Sequence, residues 1–480
     1  MSSTSRSAWN SRLRSEPLSS ETVNIIGAGQ CGTLVAIMLA RHGYQVEVYE
    51  RFGDPRVEDP EAGRSINLAL AARGLNALQQ VGIDALVEPL LVPMRGRMVH
   101  RDNGTTEFLP YGQQSDEEIY SVTRLGLNQI LLGTADNLDN LNLNFEQHAI
   151  GYDAPDRTVH IRDERDGSLY QVDADPLFAA DGAGSSIRRS FDGTGTFGGV
   201  ENLLSHGYKE LAIPAGPDGQ FQLEPNALHI WPRGGFMLIA LPNPGGDFTL
   251  TLFLPNTGEN SFEQLDDERS VVAFFEQHFA DAAPLIPDLV DDLLEHPLGV
   301  LGTVRCRHWH DRGNVLLLGD AAHAIVPFHG QGMNLAFEDC VLLDRIVSEL
   351  GSDWANVFAR FESEQLANAN AIADMALDNY VEMRDTVRDP KFALRKELAF
   401  ELERRLPEHF IPRYSMVMFH ADIPYLTAQQ RGEIQRTLLE EFTADVSRLE
   451  EVNIDGAVAA AMRRLPPIDA VRNDLSARRA

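Results

Sequence analysis

Residues 23–50 read VNIIGAGQCGTLVAIMLARHGYQVEVYE. Val23-Asn24-Ile25-Ile26 is a short apolar run of buried-strand type, and Gly27-Ala28-Gly29-Gln30-Cys31-Gly32 follows at once. Leu34, Val35, Ile37, Met38 and Leu39 continue as a helix that ends at His42-Gly43. Val46-Glu47-Val48-Tyr49 reads as a second strand, with Glu50 at its carboxyl end. Strand, G-x-G-x-x-G, helix, strand and acid in one βαβ unit make a dinucleotide site, because each part has a task there. Gly27 permits the tight turn, Gly29 lets a pyrophosphate approach the backbone, Gly32 lets the helix pack on the strand, and Glu50 can accept from ribose hydroxyls. A glycine-rich turn without a ligand would share the glycines but not the acid at this distance. A carboxylate repels a 2′-phosphate, so the site reads FAD or NAD rather than NADP. No second fingerprint of this kind opens a βαβ unit. If FAD sits here, a nicotinamide reductant docks transiently elsewhere.

A second strand-to-helix crossing lies far along the chain. Asn314-Val315-Leu316-Leu317-Leu318 reads as a buried strand and residues 335–343 as a helix with an apolar face. Between them runs Gly319-Asp320-Ala321-Ala322-His323-Ala324-Ile325-Val326-Pro327-Phe328-His329-Gly330-Gln331-Gly332-Met333-Asn334. Glycines at 330 and 332 let a ligand come close, and the helix start offers unpaired N–H groups and a positive dipole end. Asp320 suits a polyol hydroxyl, and Gly332, Met333 and Asn334 suit an electron-rich ring. An ordinary βα loop with incidental glycines has the same local pattern.

The 480-residue chain is long enough for two or three domains, and 43% hydrophobic residues fit a globular protein. No apolar run is long enough to span a bilayer, so a soluble, cytoplasmic chain with no membrane partner is expected. A formal charge of −30 repels phosphate backbones and argues against nucleic acid as a partner. Cys31, Cys306 and Cys340 show neither metal-ligand spacing nor a disulfide framework, so no metal is expected and a reducing compartment is. Residues 1–20, rich in serine and arginine, lack the apolar core of a secretion signal. They read as a disordered tail, although an organelle transit peptide has a similar composition.

The expected organisation is α/β: a Rossmann-like FAD-binding domain from 21–95, 120–199 and 301–350, an inserted β-rich substrate domain from 96–119 and 200–300, a helical region over 351–465, and a tail at 466–480. Arg64 emerges from a loop rich in proline and acids, where it could sit over a flavin or phosphate or pair with those acids. Pro93 to His100 alternates like a strand, which places Arg95 and Arg97 on one face, with Leu109-Pro110-Tyr111-Gly112 as the return of a hairpin. An inward Arg97 would be a buried cation in need of an anion, such as a substrate carboxylate; the alternative is two solvated arginines. Thr123 caps a helix whose first turn holds Arg124, a place where a phosphate would balance the cation. Asp181-Gly182 is a further strand end, or simply a turn. Alternation puts Met237, Ile239 and Leu241 on one strand face, which is core by default or a pocket wall. From Asp353 to about Arg464 the pattern is helical, with one long run through Val357, Phe361, Ala369, Ile372, Leu377 and Val381.

Gly27 to Glu50, Asp181-Gly182 and Gly319-Asp320 through Asn334 stand in an order that resembles the single-component (class A) flavoprotein aromatic hydroxylases, which share the p-hydroxybenzoate hydroxylase fold. Residues 63–70 (GRSINLAL), 93–98 (PMRGRM), 228–233 (LHIWPR), 379–384 (NYVEMR) and 410–417 (FIPRYSMV) narrow the resemblance to the kynurenine 3-monooxygenase family. It runs from about residue 22 to about 430. The resemblance implies bound FAD, NADPH as a transient co-substrate, and conversion of L-kynurenine and O2 to 3-hydroxykynurenine through a flavin C4a-hydroperoxide. The cofactor set it implies is Gly27, Gly29, Gly32, Glu50, Arg51, Arg64, Arg124, Asp181, Asp320, Gly332, Met333 and Asn334. Arg97, Tyr111, Asn379 and Tyr414 match the residues that hold the substrate carboxylate. Leu228, Met237, Ile239, Leu241, Phe253, Pro327 and Phe328 match the pocket around the ring, and Gln331 matches a glutamine near the ketone. No side chain is assigned as a general base. His329 stands where some family members carry Phe, so its role is open. The eukaryotic members end in an apolar membrane anchor that this sequence does not show. A related enzyme acting on a substituted kynurenine or another anthranilate-like acid, a flavin protein without turnover, and a flavin-linked dehydrogenase are the competing readings. A homodimer is compatible with the sequence, which does not set the oligomeric state.

Overall fold

The short apolar runs pair into a six-stranded sheet in the order His310–Asp311, Val315–Leu317, Leu177–Ala179, Thr22–Ile26, Gln45–Tyr49, Leu141–Asn144. All pairs are parallel except the edge pair His310–Asp311 with Val315–Leu317. Val315, Leu316 and Leu317 are all buried, as expected where both sheet faces are covered. The chain places Gln45–Tyr49 on one side of Thr22–Ile26 and Leu177–Ala179 on the other. The carboxyl end of Thr22–Ile26 is therefore the crevice where such sheets bind ligands. The computed structural model describes residues 21–57, 67–384 and 389–469. Arg64, the tail expected at 1–20 and residues 470–480 lie outside the described residues.

A seven-stranded sheet follows the order Gly299–Arg305, Val200–Ile213, Phe248–Pro255, Met237–Pro242, Leu228–Pro232, Gly96–His100, Thr106–Pro110. The expected hairpin is present, Arg97 opposing Leu109. It docks on the later strands through a parallel pairing that sets Arg97 against Leu228. Leu238 and Ala240 face a core built with the helices Glu268–His278 and Leu289–Glu295. Met237, Ile239 and Phe253 face the opposite way, into a cluster with Phe328 and Tyr380.

Three local expectations fail for physical reasons. Arg95 does not share a face with Arg97. The chain leaves the small sheet of Val92–Met94 and joins the large one at Gly96, and at that crossing Arg95 swings out to pair with Glu118. The helix Trp354–Arg384 does not keep Val381 inside: Val381 is 48% exposed, while Asn379, Tyr380 and Met383 are buried. Its last turns direct Asn379 and Met383 toward a cavity and pack Tyr380 against Phe328, so the buried face there is rotated away from Val381. The stretch from Pro466 begins packed rather than as a tail, because Ile468 is buried and its N–H donates to the Glu408 carbonyl at 2.7 Å. A three-stranded meander, Gln147–Asp153, Thr158–Asp163 and Leu169–Asp173, was not anticipated at all.

Candidate active site

The first recess lies at the carboxyl end of Thr22–Ile26. Gly27 has φ +99°, and a Cβ there would stand 2.5 Å from the Ala180 carbonyl oxygen; at Gly32 a Cβ would stand 1.9 Å from the Gly27 oxygen. Gly29, by contrast, has nothing within 4 Å of a Cβ position and is exposed. It precedes the helix Gln30–Arg41, whose first turn receives no side-chain cap. The turn is tight on the protein side and open on the other, which is the geometry a pyrophosphate needs. Glu50 braces it: one carboxylate oxygen accepts from Ala28 N–H at 2.8 Å and the other from Phe52 N–H at 3.0 Å. Each oxygen keeps a lone pair for a ribose hydroxyl. Arg51 is exposed and lies 4.4 Å from the centroid of the Phe52 ring.

Asp320 opens the short helix Asp320–His323 and is solvent-exposed, with protein packed close around its carboxyl. That enclosure raises its carboxyl above the usual range, with the Arg124 cation pulling the other way. Arg124 begins the helix capped by Thr123, whose hydroxyl accepts from Gly126 N–H at 3.3 Å. Its own carbonyl accepts from the Gln30 amide at 3.1 Å, and its charge acts on Asp320, so the three residues lie near one another. One Asp181 oxygen caps the Ser186–Arg189 helix, accepting from Ser186 N–H at 2.8 Å. The other is enclosed without a partner, and burial raises the carboxyl. The helix Gly332–Leu350 also starts without a side-chain cap, leaving the Gly332 and Met333 N–H groups for a ligand. Asn334 does not face it: its amide oxygen accepts from Ala71 and Gly74 N–H, and its nitrogen donates to the Ala69 and Gly330 carbonyls. Its side chain clamps the loop.

The second recess adjoins Gly330, which adopts φ +64°. Arg97, Tyr111, Leu228, Met237, Ile239, Leu241, Phe253, Pro327, Phe328, Asn379 and Tyr414 all line it. Arg97 is buried. Its two terminal nitrogens donate to Glu382 at 3.2 Å and to the Asn379 oxygen at 3.4 Å, while Nε is enclosed and unpaired. Burial opposes its charge, but Tyr414, Glu382 and Tyr111 outweigh that and its pKa is raised. Tyr111 and Tyr414 stack with ring centroids 5.0 Å apart, and the guanidinium lies 5.4 Å from the Tyr414 centroid. The Asn379 nitrogen donates to the Phe328 carbonyl at 2.6 Å, and Phe328 stacks on Tyr380 at 3.9 Å. Gln331 alone of the expected substrate residues does not line the cavity. Its side chain is turned away toward Tyr425 and Met418, because a fully buried amide there needs protein partners.

Asn67, Ile119, Thr251, His329, Met383 and Met418 also line the recess and had not been assigned to it. His329 is the chemically informative one. Burial pushes its imidazole down to about 3, with Arg413 next in effect, so it is neutral at physiological pH. It stacks on Tyr414 with centroids 5.6 Å apart, and its Nδ1 is enclosed without a partner. A histidine in a glycine-bearing loop carries no sequence signal that tells a cavity wall from a core.

A family model described as FAD binding domain matches residues 20–376. A kynurenine 3-monooxygenase of Stenotrophomonas maltophilia is 47% identical over 451 residues, which cover 94% of this chain and 98% of the relative. One from Myxococcus xanthus is 44% identical over 447 residues, covering 93% and 96%. Among solved structures, 2-methyl-3-hydroxypyridine-5-carboxylic acid oxygenase superposes with TM-score 0.62 at 20% identity, covering 77% of this chain and 94% of that one. Pseudomonas aeruginosa PqsL in complex with 2-aminobenzoylacetate gives TM-score 0.60 at 19% identity, covering 77% and 97%. At such identities the structural likeness speaks for the fold, that of the class A hydroxylases. No described helix is long and apolar enough to cross a membrane.

Two outcomes follow from the geometry. Gly32→Ala should cost at least ~1–3 kcal/mol in chemical unfolding, the usual cost of overpacking. Gly29→Ala should leave the unfolding free energy within about 0.5 kcal/mol and instead lose flavin on dialysis. The second concerns pH. His329 is held neutral when folded, down to about 3, but charges near 6.5 when unfolded, so the unfolded chain binds more protons between these values. Stability through this group is therefore complete above about pH 6.5 and is lost as pH falls, by at most about 1.4 kcal/mol per unit. Urea unfolding at pH 7 and pH 5 should show a smaller difference for His329→Phe than for the wild type.

Proposed function

We propose that this chain, which belongs to the kynurenine 3-monooxygenase family of FAD-binding flavoproteins, hydroxylates L-kynurenine to 3-hydroxykynurenine with NADPH and O2, holding the substrate in the recess around Arg97. The observation that carries this reading is the enclosed Arg97 guanidinium with a nitrogen to spare, flanked by two tyrosines in a mainly apolar cavity.

The open face at Gly29, the braced Glu50, the unpaired Asp181 oxygen and the uncapped helix starts fit FAD. When bound, FAD supplies the chemistry side chains cannot: it takes electrons from NADPH and activates oxygen for transfer. Gly29 and the Gln30–Arg41 helix start would hold the pyrophosphate, Glu50 the adenosine ribose, Asp320 the polyol chain, and the Gly332 and Met333 amides the electron-rich edge of the ring.

Arg97 would hold the amino-acid carboxylate of kynurenine. Its pairing with Glu382 at 3.2 Å is a carboxylate contact already made from the protein's side. The Tyr111 hydroxyl, enclosed and unpaired, adds a donor, and Asn379 is fixed beside it by the Phe328 carbonyl. Leu228, Met237, Ile239, Leu241 and Phe253 from the sheet, with Pro327 and Phe328 from the loop, would enclose the aromatic ring and keep water from the oxygen-transfer step. The ring amine makes the adjacent carbon electron-rich, so attack on oxygen needs no side-chain base. His329, neutral and weakly basic, is suited to stacking and hydrogen bonding rather than to proton abstraction.

Incubating the yellow protein with L-kynurenine and NADPH should give a product heavier by one oxygen atom; NADPH oxidation without oxygenated product would refute hydroxylation. Arg97→Ala should raise the KM for L-kynurenine roughly ten- to a hundredfold with FAD retained, since a charge-assisted contact contributes about 1.5–3 kcal/mol. An unchanged KM would remove Arg97 from the site.

A further inference from the structure

Arg73 is 2% exposed, and all three of its guanidinium nitrogens are used within the protein. Nε donates to Glu338 at 3.2 Å, Nη1 to the Val417 carbonyl at 2.6 Å, and Nη2 to the Ile423 carbonyl. Val417 lies in the last turn of the short helix Arg413–Met418, where carbonyls lack helical partners, so the cation meets the negative end of that helix. Ile423 precedes the helix Tyr425–Thr443, so Arg73 ties both ends of the connecting loop. Tyr425 lies under the guanidinium, its ring centroid 3.9 Å from the central carbon. Its hydroxyl donates to the Gln331 oxygen at 2.7 Å, and the Gln331 nitrogen donates to the Met418 sulfur at 3.0 Å.

The chain of contacts therefore leaves Arg413–Met418 at Val417 and returns to it at Met418. In between it passes through the residue that immediately precedes the helix start Gly332. The short helix carries Tyr414 and Met418 into the substrate recess. It has only six residues, and an isolated helix of that length has no stability of its own. We infer that Arg73, Tyr425 and Gln331 are positioning residues: they latch the Arg413–Met418 helix to the cofactor-side loop and so set where Tyr414 meets Arg97. This rests on the substrate reading given above, which it extends to residues that do not line the recess. Lysine cannot reproduce Arg73, since a compact ammonium lacks the planar fork that reaches three separated acceptors while lying flat on a ring.

The test uses the full-length, flavin-loaded protein and Tyr425→Phe, which removes one hydroxyl and keeps the ring beneath Arg73. The KM for L-kynurenine should rise about tenfold with kcat within about twofold, because one buried acceptor loses its donor at a distance from the reacting atoms. FAD content should stay at the wild-type value, and Tm should fall by no more than a few degrees. Combined with Tyr414→Phe, the two KM effects should be less than multiplicative, since both act through one ring. Hydrogen exchange of the Arg413–Met418 amides should be faster in Tyr425→Phe, and that of the Gln30–Arg41 helix unchanged. A KM that does not move, multiplicative effects, or a loss confined to Tm and FAD content would overturn the inference. Arg73→Lys should accelerate exchange in the same segment; if it fails to fold, Tyr425→Phe alone decides. A wild-type protein that does not oxygenate kynurenine would refute the functional reading, while the exchange comparison would still judge the latch.

Discussion

An arginine closed in among aromatic rings, with one nitrogen left without a partner, is the constraint around which the substrate side is arranged. Taking a guanidinium out of water is costly unless it is paired and hydrogen-bonded. Three distant parts of the chain meet that requirement for Arg97. Its own strand supplies the position, the helix Trp354–Arg384 supplies Asn379 and Glu382, and the Arg413–Met418 helix supplies the Tyr414 ring. The parallel pairing of Gly96–His100 with Leu228–Pro232 matters for the same reason. It carries a residue from the early chain into the sheet made much later and sets the charge directly beside the apolar wall.

The two recesses work on different physics. Around the glycine turn the protein offers mostly backbone: open helix starts and N–H groups, with Glu50 and Asp320 as acceptors at either end. Dipoles of this kind suit a ligand that carries phosphates, and they do so in a chain whose net charge of −30 would repel such a ligand at long range. Arg124 beside Asp320 is a local correction to that charge. The recess proposed for the substrate relies on side chains, with Arg97, Tyr111, Tyr414 and a few further polar groups (Asn67, Thr251, His329, Asn379) set in a mainly apolar wall.

What could be read from the sequence divides along the same line. The glycine fingerprint, Glu50 and the uncapped helix at Gly332 are local patterns, and local sterics make them legible. Thr123 as a cap and the alternation of Met237, Ile239 and Leu241 were legible for the same reason. Arg95 was misplaced because periodicity assumes one continuous strand, and the chain changes sheets there. Val381 was misplaced because an apolar pattern cannot announce a helix end that buries polar groups toward a cavity. The side chains of Gln331 and Asn334 both turn to the protein, which the sequence does not reveal. Whether an amide faces a ligand or its own scaffold depends on Tyr425, Met418, Ala71 and Gly74, which lie far away in sequence.

Buried arginines show how such directions can be judged. Arg73 and Arg97 are both enclosed, both lie near the Tyr414 helix, and both stand over tyrosine rings. Arg73 spends every nitrogen on the protein, two of them on main-chain carbonyls that no ligand could replace without unfolding a loop. Arg97 touches only side chains, Glu382 and Asn379, and keeps Nε unused. An unused nitrogen is not enough by itself, since Arg431 also has one and does not line the recess. The combination of an unused donor, exchangeable side-chain partners and a position on a cavity wall separates a group that waits for an anion from one that holds the chain together. On that criterion the first cation belongs to the scaffold, and the second is the one we propose for the substrate carboxylate.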